Sequence, residues 1–313
     1  MSLPALRALR ERYPEARVTI LAKPWVADLY GRESFANEVI PYDRGRWAMA
    51  GVLRPRRFDC AILLQNAFDA ALLAWLARIP VRIGYNRDGR GLLLTQAVRP
   101  PRRGEIPRHE RFYYLDLLRR AGILDSLPAS LAIHLDGGVP HRTRRIVGVS
   151  PGAAYGTAKQ WLPERFAEAA ARVAQVRGSA VAIFGSNSER NLCDQVAGLL
   201  TGHKVMNYAG KTSLSEFIDL ASQCEVFLTN DSGAMHIASA LGVPTVAIFG
   251  ATDDVATGPT GPLALVVREP VDCSPCLLRE CPIDHRCMTR ITAGRVAAEA
   301  LSLLSNRDRE EAV

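Results

Sequence analysis

Glu225–Thr229 and Thr245–Phe249 read as two buried strands, and the stretch between them, Gly233–Leu241, has the length and pattern of one helix. Short apolar runs separated by helices are the mark of βαβ units and a parallel sheet. The second half of the chain repeats this alternation. Ile146–Ser150, Ala180–Phe184 and Val205–Tyr208 read as strands, and Pro163–Val176, Glu189–Leu200 and Ser213–Ser222 as helices. The first half is fainter, with strands at Val18–Ala22, Cys60–Leu64 and Val81–Gly84 and a helix over Ala67–Ala77. The expectation is an α/β fold of two doubly wound domains meeting at a cleft. In such folds the ligand lies at the carboxyl ends of the strands.

His134–Arg145 is rich in Gly, Pro and charge and marks a linker. It divides the chain into domains over 1–140 and 141–313. The first domain opens on a helix, Pro4–Tyr13, where a doubly wound domain opens on a strand, so a strand ahead of Met1 is expected. The chain closes on a helix over about Thr292–Leu304, with Asn306 onward expected to fray.

Composition excludes several classes. With 48% hydrophobic and 23% charged residues the chain is neither disordered nor fibrous. No apolar run reaches the roughly 18 residues of a membrane span, and the first residues show no export signal. The net charge of +7 is lopsided. Residues 1–140 hold 22 Lys+Arg against 14 Asp+Glu, and residues 141–313 hold 17 against 18. An excess of +8 in the first half suits an anionic partner. No basic helix with interleaved aromatics is present, which disfavours nucleic acid.

Three segments carry chemistry. In Asn230-Asp-Ser-Gly233, at the end of a strand and the start of a helix, Asp231 or Ser232 is expected to cap the helix. Gly233 admits close approach of a ligand, and the helix amides favour a phosphate. His236 lies one turn in. Ser150-Pro-Gly152 opens a loop of small residues that ends in Lys159, suited to a diphosphate or simply exposed. Glu189, after the Gly185-Ser-Asn turn, suits ribose hydroxyls or the start of its own helix. A fourth feature is the run of Cys273, Cys276, Cys281 and Cys287. It allows a structural zinc site, reduced structural thiols, or a disulfide.

These segments resemble the ADP-heptose:lipopolysaccharide heptosyltransferases, glycosyltransferase family 9. The stretch from Ser150 to Trp161 is most similar to the heptosyltransferase II branch. The resemblance implies a GT-B fold, two Rossmann-like domains facing a cleft. The acceptor would lie in 1–140 and the ADP-sugar in 141–313, with the C-terminal helix free to pack back on domain 1. It implies Ser150, Gly152, Lys159, Glu189, Thr212, Asp231, Ser232, Gly233 and His236 as donor-binding residues. Lys159 would contact the phosphates, and the backbone of Thr212 the adenine. It implies inverting transfer of a heptose from ADP-L-glycero-D-manno-heptose to the inner core of lipopolysaccharide, with no cofactor required. The partner would be an anionic core precursor at the inner face of the cytoplasmic membrane, and the protein cytoplasmic and peripheral. Arg54, Arg56 and Arg57, then Arg102, Arg103, His109 and Arg111, would meet that acceptor. The family's catalytic aspartate would lie upstream of Met1, which leaves open an ADP-sugar-binding module of impaired catalysis or a heptosyltransferase of another acceptor specificity.

Overall fold

The computed structural model describes residues 1–128, 133–135 and 145–310. The chain divides into two compact units, Met1–Leu131 and Ala132–Val313. The boundary expected at 140/141, and most of the linker, lie outside the described residues.

The first unit runs α1 (Leu3–Arg12), β1 (Thr19–Ala22), α2 (Pro24–Gly31), β2 (Glu38–Pro41), α3 (Arg46–Leu53), β3 (Cys60–Leu63), α4 (Phe68–Leu76), β4 (Val81–Tyr85), β5 (Gln96–Val98) and α5 (Arg111–Arg120). Its strands form two parallel sheets, β1-β2 and β3-β4-β5. Both belong to one packed body. Leu21 of β1 and Ala61 and Leu63 of β3 pack against the same cluster, built on Ile40, Met49, Leu53 and Leu73. On the other side Ile62 meets Ile83, Tyr85, Leu115 and Leu118, with Ala5 and Ala8 of α1. Among the described residues nothing pairs with the second edge of β1 or of β3. The sequence reading missed β2, β5 and the helices α2 and α3. Strands of three or four residues are too short to show a period.

The second unit runs β6 (Ile146–Ser150), α6 (Pro163–Arg177), β7 (Ala180–Ile183), α7 (Arg190–Leu199), β8 (Val205–Asn207), α8 (Leu214–Ser222), β9 (Val226–Asn230), α9 (Gly233–Ala240), β10 (Thr245–Phe249), α10 (Asp254–Thr257), β11 (Ala264–Arg268), α11 (Arg286–Thr289) and α12 (Ala293–Glu310). One parallel six-stranded sheet has the order β11-β10-β9-β6-β7-β8. Alternate residues, Val147, Val149, Val181, Ile183, Val226, Leu228, Val246 and Ile248, face α6 and α12. On the opposite face Met235 of α9 packs on Ala247 and Phe249. Local chemistry sets the helix ends. Pro163 opens α6 and left-handed Gly178 (φ 65°) closes it. A capping box of Ser213 and Glu216 opens α8.

One expectation about the C-terminus is corrected. Helix α12 buries Val296, Ala297, Ala300 and Leu304 in the core of the second unit. The residues expected to fray continue the helix to Glu310. The reason is polar. Arg307 is buried and donates to the Glu225 carbonyl at 3.1 Å, and Asp308 pairs with Arg177 at 2.9 Å.

Candidate functional site

The sheet order of the second unit decides where a ligand can sit. From β6 the chain lays down β7 and β8 on one side, then returns and lays β9, β10 and β11 on the other. Connections part at the carboxyl ends of β6 and β9, and an open α/β sheet binds its ligand in the crevice at such a reversal. The two loops at that point carry Lys159 and Asp231.

Lys159 ends a one-turn 3-10 helix, Thr157–Lys159. Its ammonium donates to Asp231 Oδ2 at 2.6 Å, and the Thr252 hydroxyl donates to the same oxygen at 2.6 Å. Asp231 is 5% exposed, so this pair is held away from bulk water. Beside it Asn230 is fully buried and joins the two loops. Its Oδ1 accepts from the Trp161 amide at 3.0 Å, and its Nδ2 donates to the Pro151 carbonyl at 2.7 Å.

The expected cap on α9 does not form. Asp231 is engaged with Lys159 and Thr252, and Ser232 Oγ lies 3.2 Å from Thr229 Oγ1. Ser232, the N-cap residue, makes no side-chain cap hydrogen bond to the helix. Its leading amides, beside an ammonium and an exposed Gly233, suit an anion. His236 is half-buried in the first turn, and Ser150 is buried at the end of β6, in register with Thr229.

Glu189 makes the capping box, accepting at Oε2 from the amide and hydroxyl of Ser186, both at 2.8 Å. Its carboxylate also lies against Gly152, where a Cβ would come within 2.0 Å of Oε1. A side chain at position 152 would displace that carboxylate, and the contact of Gly152 with Glu189 brings the loops after β6 and β7 together. Gly210 donates its amide to the Gly185 carbonyl at 2.9 Å and draws in the β8 loop that carries half-buried Thr212. The residues expected at the donor therefore come from the carboxyl ends of one sheet.

The sequence reading gave Asn230, Thr252, Tyr155 and His285 no role at the donor. Asn230 had a signal, an amide closing an apolar strand, because a buried amide must find partners. Thr252 and His285 arrive from distant segments. His285 Nε2 lies 3.0 Å from the Ala158 carbonyl and braces the Lys159 turn.

The model of glycosyltransferase family 9 (heptosyltransferase) matches residues 46–286. The chain belongs to glycosyltransferase family 9. It is 31% identical to lipopolysaccharide heptosyltransferase 2 of Escherichia coli K12, over 86% of this chain and 84% of that protein. It is 28% identical to lipooligosaccharide heptosyltransferase 2 of Haemophilus ducreyi, over 97% and 95%. The solved structure of Escherichia coli ADP-heptose LPS heptosyltransferase II superposes with a TM-score of 0.83 at 30% identity, covering 98% of this chain and 95% of that one. The fold is the expected GT-B α/β class, and the protein is a glycosyltransferase.

In this family 9 glycosyltransferase the basic residues of the first unit fall into two places. Arg54, Arg56 and Arg57 lie where α3 ends and β3 begins, at the amino ends of the strands. Arg54 donates to the Leu76 carbonyl at 3.0 Å, and Arg56 pairs with Glu38, the first residue of β2. That end is opposite the one where parallel sheets bind ligands. Arg102, Arg103, His109 and Arg111 follow the carboxyl end of β5. The Arg102 amide and the side chains of Arg99 and Arg120 converge on Glu105. His109 Nδ1 accepts from the Arg111 amide at 3.2 Å, and the Arg111 guanidinium lies 5.1 Å from the Phe112 ring centre. Arg90, absent from the sequence reading, is fully buried among acceptors. It donates to the Tyr85 carbonyl at 2.9 Å, to the Gln65 carbonyl, and to Asn66 Oδ1 at 3.1 Å. It thereby ties the β3 and β4 loops together.

The zinc expectation is corrected. Among the described residues no three His, Cys, Asp or Glu side chains are placed to hold a metal ion. Cys273, Cys276, Cys281 and Cys287 are all free thiols. Cys273 is exposed while Cys287 is buried, and burial pushes the Cys287 thiol up to about 11. Zinc needs several thiolates converging at about 2.3 Å. Among the described residues no helix is long and apolar enough to cross a membrane.

Proposed function

We propose that this glycosyltransferase moves a heptose from ADP-L-glycero-D-manno-heptose to the inner core of lipopolysaccharide, the second heptose onto the first, with inversion at the anomeric carbon. The observation that carries the donor side is the 2.6 Å contact of Lys159 with Asp231 at the strand-order reversal, next to the uncapped start of α9. Lys159 and the α9 amides bind the diphosphate. Asp231, Ser232, Gly233 and His236 line its heptose end, with Ser150 and Gly152 across from them. Glu189 meets the ribose, and the Thr212 backbone the adenine. As the glycosidic bond breaks, charge grows on the leaving diphosphate, where fixed donors stabilise it most.

The second unit is the donor half and the first is the acceptor half. The basic loop after β5, with Arg102, Arg103, His109 and Arg111, suits the carboxylates and phosphates of a core precursor. The protein works in the cytoplasm, peripheral to the inner membrane where that glycolipid lies. The decisive experiment is transfer from ADP-heptose to a heptose-bearing core acceptor. Product linked through an inverted anomeric centre supports the reading. A second reading, donor binding without efficient transfer, is favoured by the divided sheet of the first unit. It requires ADP binding with no product.

A further inference from the structure

A second cation stands beside Lys159, on a segment that the assignment above does not use. The Arg279 carbonyl accepts from the Ala158 amide at 2.9 Å, and it presses so closely on Gly156 that a Cβ there would lie 2.2 Å from the oxygen. Leu277 donates its amide to the Ala251 carbonyl at 2.8 Å and accepts from the Tyr155 hydroxyl at 2.8 Å. The backbone around Arg279 is thus fastened to the Lys159 loop without any help from the Arg279 side chain.

That side chain has little to do in the unliganded protein. Its guanidinium carbon lies 5.3 Å from the Tyr155 ring centre, and the Lys159 ammonium lies 4.9 Å from the same centre. Two cations share one ring. Lys159 has Asp231, whereas exposed Arg279 has no carboxylate partner among the described residues. An anion placed beside the Tyr155 ring would be within reach of both cations. A guanidinium forks onto two oxygens of one phosphate, which an ammonium cannot do.

We propose that Arg279 is the second cation of the donor site, closing on the diphosphate of a nucleoside-diphosphate sugar. The proposal rests on the donor site being the one built by Lys159 and α9. In the transfer the bond from the anomeric carbon to the terminal phosphate oxygen breaks, and its electron pair stays on the diphosphate. The acceptor hydroxyl oxygen forms the new bond to the anomeric carbon and gives up its proton to water. Arg279 binds the departing charge more tightly than the intact donor, so its loss lowers kcat more than it raises KM.

The test uses the full chain with Arg279→Ala, Arg279→Lys and Lys159→Ala. Calorimetry with ADP and AMP is joined to transfer kinetics. Arg279→Ala is expected to weaken ADP about tenfold, as the loss of one charge-assisted contact does. AMP affinity and melting temperature stay unchanged, kcat falls, and Arg279→Lys recovers part of the loss. Equal weakening of ADP and AMP, or unchanged ADP affinity and kcat in Arg279→Ala, overturns the proposal. If wild type binds ADP, Lys159→Ala loses it and Arg279→Ala keeps it, this proposal falls and the donor site stands. A wild-type chain that binds no ADP removes the donor-site reading and this proposal with it.

Discussion

The Lys159 ammonium and the Asp231 carboxylate meet at 2.6 Å, with side chains 14% and 5% exposed, across the point where the strand order of the second unit reverses. The ion pair sets the cation at the mouth of the crevice and leaves the α9 amides to an anion.

Lys159→Ala is expected to weaken ADP by about 1.5–3 kcal/mol, the worth of a hydrogen bond to a charged group. It also leaves Asp231 with Thr252 alone, so stability falls as well. Calorimetry beside a melting curve separates the two effects. Unchanged ADP affinity would take Lys159 out of the site.

Asn230→Ala strands two buried groups, the Trp161 amide and the Pro151 carbonyl. Each costs about 1–3 kcal/mol when left unpaired. Urea unfolding is expected to register that loss, and ADP binding to weaken because the two loops are no longer tied. A stability within about 0.5 kcal/mol of wild type, the range of ordinary surface changes, would contradict the role.

Glu105 gives a pH prediction. The Arg102 amide first, then the Arg99 and Arg120 side chains, hold its carboxyl down to about 2 from an ordinary 4.5. A depressed pKa in the folded protein means that the contribution is fully present above 4.5 and is lost as pH falls from there towards 2. The NMR shift of the Glu105 carboxyl carbon should titrate near 2 and not near 4.5. Neutralising its partners should move the midpoint upward, and a midpoint already at 4.5 in wild type means that the cluster does not form in solution.

The second unit was legible from β6 to β10 and again at α12, whereas α10, β11 and α11 were not read from the sequence. Its strands are apolar on both faces and its helices carry their own stops, so Ile146–Ser150 and Thr245–Phe249 needed no tertiary context. Asp231 and Gly233 were legible because they follow at once on a strand that could be read, and Lys159 because it ends the loop after another. The first unit was harder. Glu38–Pro41 and Gln96–Val98 are brief and half-exposed, and they are strands only because a neighbour pairs with them.

The linear order of residues was enough to settle the parallel α/β class and the family, and to single out loops that gather at the carboxyl ends of one sheet. It left open which partner each side chain takes. Asp231 could cap α9 or receive Lys159, and it receives Lys159 together with Thr252, which arrives from the loop after β10. The arginines of the first unit looked alike in the sequence. Folding sent Arg54 and Arg56 to one end of the strands and Arg102 and Arg111 to the other, and buried Arg90 between loops. A side chain's local pattern says what bonds it can make. Which of them it makes depends on groups that are distant in the chain and become neighbours only when the sheet closes.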